Sequence, residues 1–271
     1  MIGFIDDRAL PDFDVGRDRF EIKRNHNKAL AGKRFAQLEP EDQGQILGYE
    51  FSTHTLPSSM DDRAVLQMFA RLNSTGVKLN GQELRNAEYF GIFKGLMYDL
   101  AYEQLERWRG WRIFSEDDIA RMNEVELVSD LSKNVIDGLS GKSQKGLNDL
   151  YAKYDGRFDG VKVLSRRFRG TMDTIDELLG GSIAKTVFRS EVYFVTLFCL
   201  VYDVEWGLGS PLDSTKPRAV SAARLRNGLM EASNRFQSQN VPAEVLDAVL
   251  RASADLGRRR TRLDYLRSLC R

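Results

Sequence analysis

The pattern of apolar and polar positions changes its period near Ser59. Before this point, residues 19–25 and 47–56 alternate apolar and polar side chains or carry β-branched residues, which is typical of short strands. Between these two stretches, the segment LEPEDQGQIL at 38–47 predicts a short helix with Pro40 at its start. From Ser59 onward, apolar residues recur at steps of three and four positions, which is the period of an α-helix.

The chain is therefore predicted to be mainly α, with a multi-helical body at 59–271 behind a small α+β N-terminal portion at 1–58. Asn80 and Glu83 have the spacing of a helix N-cap and its reciprocal partner. Ser115 and Asp118 mark a second helix start, and we expect that helix to continue to the glycines at 138–141. Further helices are expected near 144–155, 160–180, 187–203, 217–238, 242–256 and 260–270.

The most apolar run of the chain, VYFVTLFCLVY, occupies residues 192–202. It is about half as long as a membrane-spanning helix, so it predicts a buried core helix and no membrane partner. Hydrophobic residues make up 42% of the chain and charged residues 29%, which excludes a disordered polypeptide. The net charge of +1 gives no global sign of nucleic-acid binding. Cys199 and Cys270 form no disulfide framework, which favours a reducing, cytoplasmic location.

The sequence offers few candidates for catalysis. Only two histidines, His26 and His54, are present, so we predict neither a metal site nor a histidine-based catalytic relay. The run GLSGKS at 138–143 resembles the end of a phosphate-binding loop, but Ile136 stands where that motif requires a glycine. The preceding residues are also helical in pattern instead of strand-like, so we interpret this run as a solvated turn. No catalytic residue is predicted.

An Asn-Ser-Thr-Gly sequence interrupts the helical pattern within residues 69–85. Capping chemistry explains this break, because Arg71 would complement the last carbonyls of one helix while Asn73 and Gly76 suit unusual backbone dihedrals. The functional alternative is an anion site. In that case the free N–H groups that open the next helix receive a phosphate beside Arg71 or Arg85.

The C-terminal segment is basic, with seven arginines against two aspartates over residues 251–271. A cluster of this kind can follow a phosphate backbone, which makes DNA a candidate partner. The alternative is a solvated helix face whose aliphatic arginine stems cover the core. The candidate nucleic-acid-binding residues are Arg258, Arg259, Arg260 and Arg262.

Residues 65–91 resemble a signature of a large prokaryotic domain family, typified by the N-terminal domain of GmrSD-type modification-dependent restriction enzymes. Residues 27–56 and the tail RRRTRLDYLRSL also resemble parts of that family. The resemblance implies a ParB-like N-terminal fold followed by a helical region, and a role in phage defence in which nucleotide is hydrolysed and modified DNA is sensed. The matching positions are Phe69, Arg71, Leu72, Asn73, Gly76, Leu79, Glu83, Leu84 and Arg85.

The same resemblance implies a nucleotide site that includes Arg71, Asn73, Gly76, Glu83 and Arg85. The family's other signature, Asp-Gly-Gln-Gln-Arg on the N-terminal lobe, does not occur in this sequence. We therefore expect no nucleotide hydrolysis by this chain alone and interpret its first part as the remnant of a ParB-like lobe. A nucleoside triphosphate is expected only where an upstream lobe is supplied.

The expected partners are that missing N-terminal lobe, a companion nuclease and DNA, because the sequence contains no nuclease motif of its own. The alternative function is a helical protein- or DNA-interaction module without a nucleotide site. In this alternative, the loop within 69–85 only caps and packs the helices that it joins.

Overall fold

The protein is mainly α-helical, as the sequence pattern predicts, and helices are the regular secondary structure found in its described residues. The chain divides into two compact units, residues 1–62 and 63–271, and each unit is considered by itself. The computed structural model describes residues 2–6, 19, 21–22, 27–50, 53, 78–212, 221–250 and 254–270.

The first unit contains two short helices in its described residues. Helix α1 spans Ile2–Ile5, and helix α2 spans Pro40–Leu47 with proline at its first position, which confirms the predicted helix. Proline suits that position because its missing N–H would have no partner within the helix. A 3-10 turn at Phe35–Gln37 contacts α1 through the rings of Phe4 and Phe35, whose centroids are 6.0 Å apart.

The two strands predicted at 19–25 and 47–56 are absent at their described positions. Leu47 ends α2, because the helix continues through it to a cap at the following glycine. Ile22 lies in irregular backbone and exchanges hydrogen bonds of 3.0 and 2.8 Å with Gly32–Lys33, where the glycine has a φ of +77°. Partners ten and eleven positions later in the chain therefore satisfy the backbone groups of Ile22 without a strand at this position. The other positions of both predicted strands lie outside the described residues.

The second unit is a bundle of α-helices. Most of the predicted helices after residue 140 are confirmed, with ends that shift by a few positions, whereas the helix predicted after Ser59 lies outside the described residues. The helices are α3 (Gly81–Glu88), α4 (Ile92–Glu103), α5 (Leu105–Gly110), α6 (Glu116–Ala120), α7 (Asn123–Asp137), α8 (Gln144–Tyr154), α9 (Val161–Leu178), α10 (Glu191–Trp206), α11 (Ala222–Gln237), α12 (Ala243–Leu250) and α13 (Leu256–Cys270).

Helix α10 lies at the centre of this bundle. Every residue from Phe194 to Tyr202 is buried, which confirms the buried core helix predicted from the apolar run. A helix that is apolar on all sides needs neighbours on all sides, and α10 packs against α7, α9 and α13. No helix within the described ranges has both the length and the apolar character needed to cross a membrane.

Aromatic side chains fix the corner between α4 and α5 against this central helix. Trp108 is fully buried, and its indole N–H donates to the carbonyl of Ala101 at 3.0 Å. Its ring meets Trp111, Phe114 and Phe194 edge to face at centroid distances of 5.5 to 6.1 Å. Such arrangements add to the stabilisation that burial of the ring area supplies.

The helix predicted to run from Ser115 to the glycines at 138–141 is instead two helices. Its start is confirmed, because Ser115 and Asp118 form a capping box. The prediction of one continuous helix is wrong, because Met122 has a φ of 60° and a left-handed backbone that separates α6 from α7. Contacts from other helices favour this break. The amide of Asn80 donates to the carbonyl of Arg121 at 2.7 Å.

The close contact between α11 and α13 generates a test with a matched control. A Cβ atom at Gly228 would lie 2.4 Å from the carbonyl oxygen of Leu269, whereas one at Gly170 on α9 would have no described atom within 4 Å. We expect Gly228→Ala to lower the free energy of unfolding by about 2 kcal/mol, the usual range for overpacking. Gly170→Ala should raise it by about 0.5–1 kcal/mol, because alanine is the better helix former. Urea unfolding of both variants measures this difference, and equal effects would contradict the tight contact.

Candidate functional site

The second half of the signature forms the N-terminus of α3. The side-chain oxygen of Asn80 accepts hydrogen bonds from the backbone N–H groups of Gln82 and Glu83 at 2.9 and 2.8 Å. In return, the backbone N–H of Asn80 donates to the carboxylate of Glu83 at 2.6 Å. This capping box confirms the prediction made from the spacing of Asn80 and Glu83, and it uses N–H groups that an anion at the helix start would need.

Arg121 ties this helix start to the break between α6 and α7. Its guanidinium donates to the carbonyl of Lys78 at 2.7 Å and to the carboxylate of Glu83 at 3.0 Å. The hydrogen bond from Arg121 holds the pKa of Glu83 below its ordinary value. The backbone that leads from the signature loop into α3 is therefore clamped on the helical body. Glu83 supplies part of the clamp.

Arg85 lies inside the protein, with only 1% of its surface exposed. Its guanidinium donates to the side chains of Gln82 at 3.0 Å, Gln144 at 2.7 Å, Asn148 at 3.0 Å and Glu126 at 2.6 Å. Gln82 lies on α3 itself, Glu126 on α7, and Gln144 and Asn148 on α8. A phosphate could reach Arg85 only by displacing them, so this placement favours a structural role for Arg85.

Glu126 pairs with a second cation, which comes from the segment GLSGKS at 138–143. Lys142 forms an ion pair with Glu126 at 2.7 Å. Burial pushes the pKa of Glu126 upward, but Lys142 and Arg85 outweigh burial and hold it below its ordinary value. The backbone N–H of Lys142 also donates to the carbonyl of Ala254 at 2.9 Å. The interpretation of this segment as a solvated turn is therefore wrong at Lys142, whose contacts lie within the fold.

The first half of the predicted nucleotide site lies outside the described residues. This applies to Arg71, Asn73 and Gly76, and also to His26 and His54. Their predicted roles stay predictions. Of the five candidate nucleotide-binding residues, the structure places only Glu83 and Arg85, and both contact protein groups.

The C-terminal arginines divide between the interior and the exterior of the protein. Arg259 is 4% exposed and forms a two-pronged ion pair with the buried Asp130, at 2.9 and 2.6 Å. Arg258 and Arg260 lie further out, and Arg258 forms an ion pair with Asp247 at 3.2 Å. The buried pair joins α13 to α7, so Arg259 is not available to follow a phosphate backbone. Only the outer two positions remain candidates for contact with DNA.

Arg262 is also buried, at 1% exposure. In the described part of the chain it donates to the hydroxyl of Thr196 at 3.2 Å and to the carbonyl of Ala248. Burial and, to a smaller extent, the neighbouring positive charge of Arg259 together lower the pKa of Arg262 to about 10. A cation at this point complements the C-terminal end of α12, where carbonyl groups lack partners within the helix.

A polar cavity of about 480 Å³ lies where α7, α10 and α13 come together. Charged side chains of both signs contribute to its wall, together with the first residues of α10. Apolar side chains of α7 and α10, together with Ile113 after α5 and Ala254 before α13, complete it. The lining residues are Ile113, Leu127, Asp130, Lys142, Ser190, Glu191, Val192, Val195, Ala254, Arg259 and Arg262.

The buried cysteine of α10 is not one of the cavity-lining residues. Burial raises the pKa of the Cys199 thiol to about 12, so this cysteine is not an activated nucleophile. Within the described ranges, no three His, Cys, Asp or Glu side chains are grouped so that they could hold a metal ion. The cavity instead offers fixed charges and helix-end dipoles.

Sequence reasoning missed Asp130, and it assigned Arg259 and Arg262 to a nucleic-acid-binding surface although both are buried. Asp130 follows Leu127 by three positions and precedes Leu131 by one, so it falls on the apolar face of α7. Arg259 and Arg262 share a face with Leu263 in the same way. A charged residue within an apolar stripe is the signal that could have found them, since a buried charge requires a partner.

No protein-family model matches this chain, and neither a curated protein nor a solved structure matches it. The resemblance at 69–85 therefore remains an inference from those residues. The site has to be interpreted from its own geometry.

Removal of Arg85 should be costly. Arg85→Met removes a cation from a buried network and leaves Glu126 with fewer partners, so we expect the free energy of unfolding to fall by about 3 kcal/mol. The control is Arg157→Met. Arg157 pairs with Asp159 at the surface, where both side chains are mostly exposed. Chemical denaturation compares the two variants, and a loss no larger than that of the control would show that Arg85 is not structural.

The buried Glu124 gives stability a dependence on pH. Its Oε2 atom has no hydrogen-bond partner among the described residues, and burial raises its pKa from 4.5 to about 7. The Glu124 carboxyl group therefore binds a proton more tightly in the native state than in the unfolded state. This difference stabilises the native state fully below pH 4.5, and the stabilisation is lost as the pH rises through 7. Relative to Glu124→Gln, we expect the wild type to lose on the order of 2 kcal/mol between pH 4.5 and 8. Thermal unfolding across this range measures the loss, and Glu177→Gln at an exposed position should follow the wild-type curve.

Proposed function

We propose that this chain belongs to the defence-type domain family that residues 69–85 resemble, and that its helical unit holds the signature loop in place for a nucleoside triphosphate. In this proposal Arg71, Asn73 and Gly76 form one wall of the nucleotide site. Glu83 and Arg85 position the loop from behind and do not touch the nucleotide. The five residues that the resemblance assigns to the nucleotide site thus have two roles, nucleotide contact for the first three and support of the loop for the last two.

The clamp at the end of the loop supports this proposal. The carbonyl of Lys78 and the side chain of Glu83 both accept hydrogen bonds from Arg121, and Asn80 bonds back to the Arg121 carbonyl. A binding loop is most effective when its geometry is set before the ligand arrives, because less conformational entropy is lost on binding. The clamp supplies this preorganisation at the last residues of the loop.

Nucleotide hydrolysis in this proposal requires a second component in addition to this chain. The Asp-Gly-Gln-Gln-Arg motif does not occur in the sequence, so in this proposal the opposite wall of the site comes from a ParB-like lobe supplied by another chain. A companion nuclease in the cytoplasm would then cut the modified DNA. The chain itself contributes binding and positioning.

A second candidate function is a helical interaction module without a nucleotide site. The burial of Arg85 favours it, because one of the two arginines assigned to the phosphate contacts protein groups instead. In the DNA form of this candidate, only Arg258 and Arg260 of the four C-terminal arginines can contact the phosphate backbone. In the protein form, the helical body docks a companion chain.

Nucleotide titration separates the two functions. With a ParB-like lobe that carries the Asp-Gly-Gln-Gln-Arg motif supplied as a second chain, we expect calorimetry with GTP, ATP and CTP to detect binding of at least one nucleotide, and we expect no turnover by the present chain alone. Arg71→Ala should weaken that binding about tenfold or more, the usual effect of losing a hydrogen bond to a charged group. Arg224→Ala, at an exposed position on α11, is the matched control and should bind as the wild type does.

The other outcomes are equally informative. If none of the three nucleotides binds, or if Arg71→Ala binds as tightly as Arg224→Ala, the interaction module is the better assignment. Turnover by this chain alone would overturn the division of hydrolysis between chains. Circular dichroism of each variant establishes that it remains folded.

A further inference from the structure

The buried carboxyl group of Glu124 lies at the joint between α6 and α7, which comprises residues 121–126 and includes the left-handed Met122. We propose that the protonation state of Glu124 controls the local opening of this joint, so that the end of the signature loop is held more loosely when the carboxyl group is ionised. The control of the joint depends on the contacts of the joint itself, whereas its effect on ligand binding rests on the nucleotide function proposed above.

Glu124 occupies a position that suits a neutral side chain. It lies on the first turn of α7 and is only 7% exposed, although glutamate is rarely buried without a partner. Its Oε2 atom has no hydrogen-bond partner among the described residues. A neutral carboxyl group tolerates this environment better than a carboxylate, because a buried charge without a partner loses its hydration and gains no compensating contact. Ionisation of Glu124 therefore favours a local movement that returns the side chain to water.

The titratable neighbours of Glu124 do not compensate a negative charge. Burial above all, and the like charge of Asp118 on α6 to a smaller extent, raise the pKa of Glu124 to about 7, while a hydrogen bond from its own backbone N–H acts in the opposite direction. Tyr98 on α4 is a second titratable neighbour, and burial and the charge of Glu124 raise its own pKa. Its hydroxyl donates to the sulfur of Met122 at 3.0 Å. The ionised form of Glu124 therefore receives little help from either group.

The cations around the joint are bonded to other acids. Arg121 pairs with Glu83 of α3 at 3.0 Å, and Arg85 and Lys142 both pair with Glu126, which lies two positions after Glu124 on α7. In the part of the chain that the structure describes, the pKa of Glu124 shows no effect of a charge on α8, α9 or α10. The packing around this carboxyl group therefore leaves protonation as the way to keep it buried.

The joint also carries the clamp on the signature loop. Arg121 donates to the carbonyl of Lys78 at 2.7 Å, and the amide of Asn80 donates to the carbonyl of Arg121 at 2.7 Å and to the side chain of Asn123 at 3.2 Å. Between Arg121 and Asn123, Met122 has a φ of 60°, which is unfavourable for a residue with a side chain and persists only while the surrounding contacts hold it. Opening of the joint therefore loosens both sides of the clamp.

Hydrogen exchange of the full chain between pH 5.5 and 8, corrected for the intrinsic exchange rate at each pH, measures the opening of the joint. The reporters are the backbone N–H groups of Met122 and Glu126 in the joint and of Glu83 in the clamp, all of which donate hydrogen bonds. We expect their protection factors to fall about tenfold or more over this range, because opening exposes Glu124 and an exposed carboxyl group releases its proton at lower pH. At every pH these groups should be less protected than those at the centre of α10, which exchange through global unfolding.

A substitution with a matched control assigns the effect to Glu124. Glu124→Gln keeps the shape of the side chain and cannot ionise, so its reporter groups should keep constant protection from pH 5.5 to 8. Glu177→Gln, at an exposed position on α9, should behave as the wild type does. In the wild type, the side-chain carboxyl carbon of Glu124 should titrate near pH 7 by NMR, which tests the inference without a variant.

Four results would overturn the inference. They are wild-type protection in the joint that does not change with pH, the same change in Glu124→Gln, constant protection at Glu83, and exchange of the joint only together with the centre of α10. Titration of Glu124 near its ordinary pKa of 4.5 would also overturn it. None of these measurements uses a nucleotide, so the failure of this inference and the failure of nucleotide binding are separate results.

Discussion

The second unit depends on one constraint, which is that α10 must be covered on every side. Its residues from Phe194 to Tyr202 are buried without interruption, so no face of this segment can be left to water. The surrounding helices each need only one apolar face, and α7, α9 and α13 provide three of these faces. Polar groups on those faces then lie far from solvent. They require partners inside the bundle, and the arrangement of these partners defines the rest of the structure.

Buried arginines meet this requirement by joining helices that are distant in sequence. Arg85 links α3 to α7 and α8, and Arg259 reaches Asp130, which lies 129 positions earlier. Arg167 on α9 donates to the hydroxyl of Tyr202 on α10. Each guanidinium offers several donors in a fixed plane, so it can satisfy partners on more than one helix at once. Such contacts cost desolvation energy, and their geometry favours one packing of the helices over alternatives.

The same contacts between helices determine the geometry and the charge of the candidate sites. The signature helix α3 begins in a capping box, is held by Arg121 and is anchored at Arg85, so the loop before it has a fixed end. The cavity beside Arg259 and Arg262 lies where three helices meet. In both places a requirement of packing, that buried charge be partnered, also fixes the position of charged side chains. The residues of the candidate sites therefore also contribute to the stability of the fold.

The sequence by itself determined the local features of this protein. The helical period, the caps at Asn80 and Ser115 and the buried run at 192–202 are all found in the structure, because each depends on interactions within a few residues or on continuous apolarity. Only the tertiary structure decided the break at Met122, which accompanies a contact between side chain and backbone across the fold. It also decided which arginines of α13 face inward and where the cavity forms. A buried charge is stabilised by a partner that can lie more than a hundred positions away, and no local pattern specifies that partner.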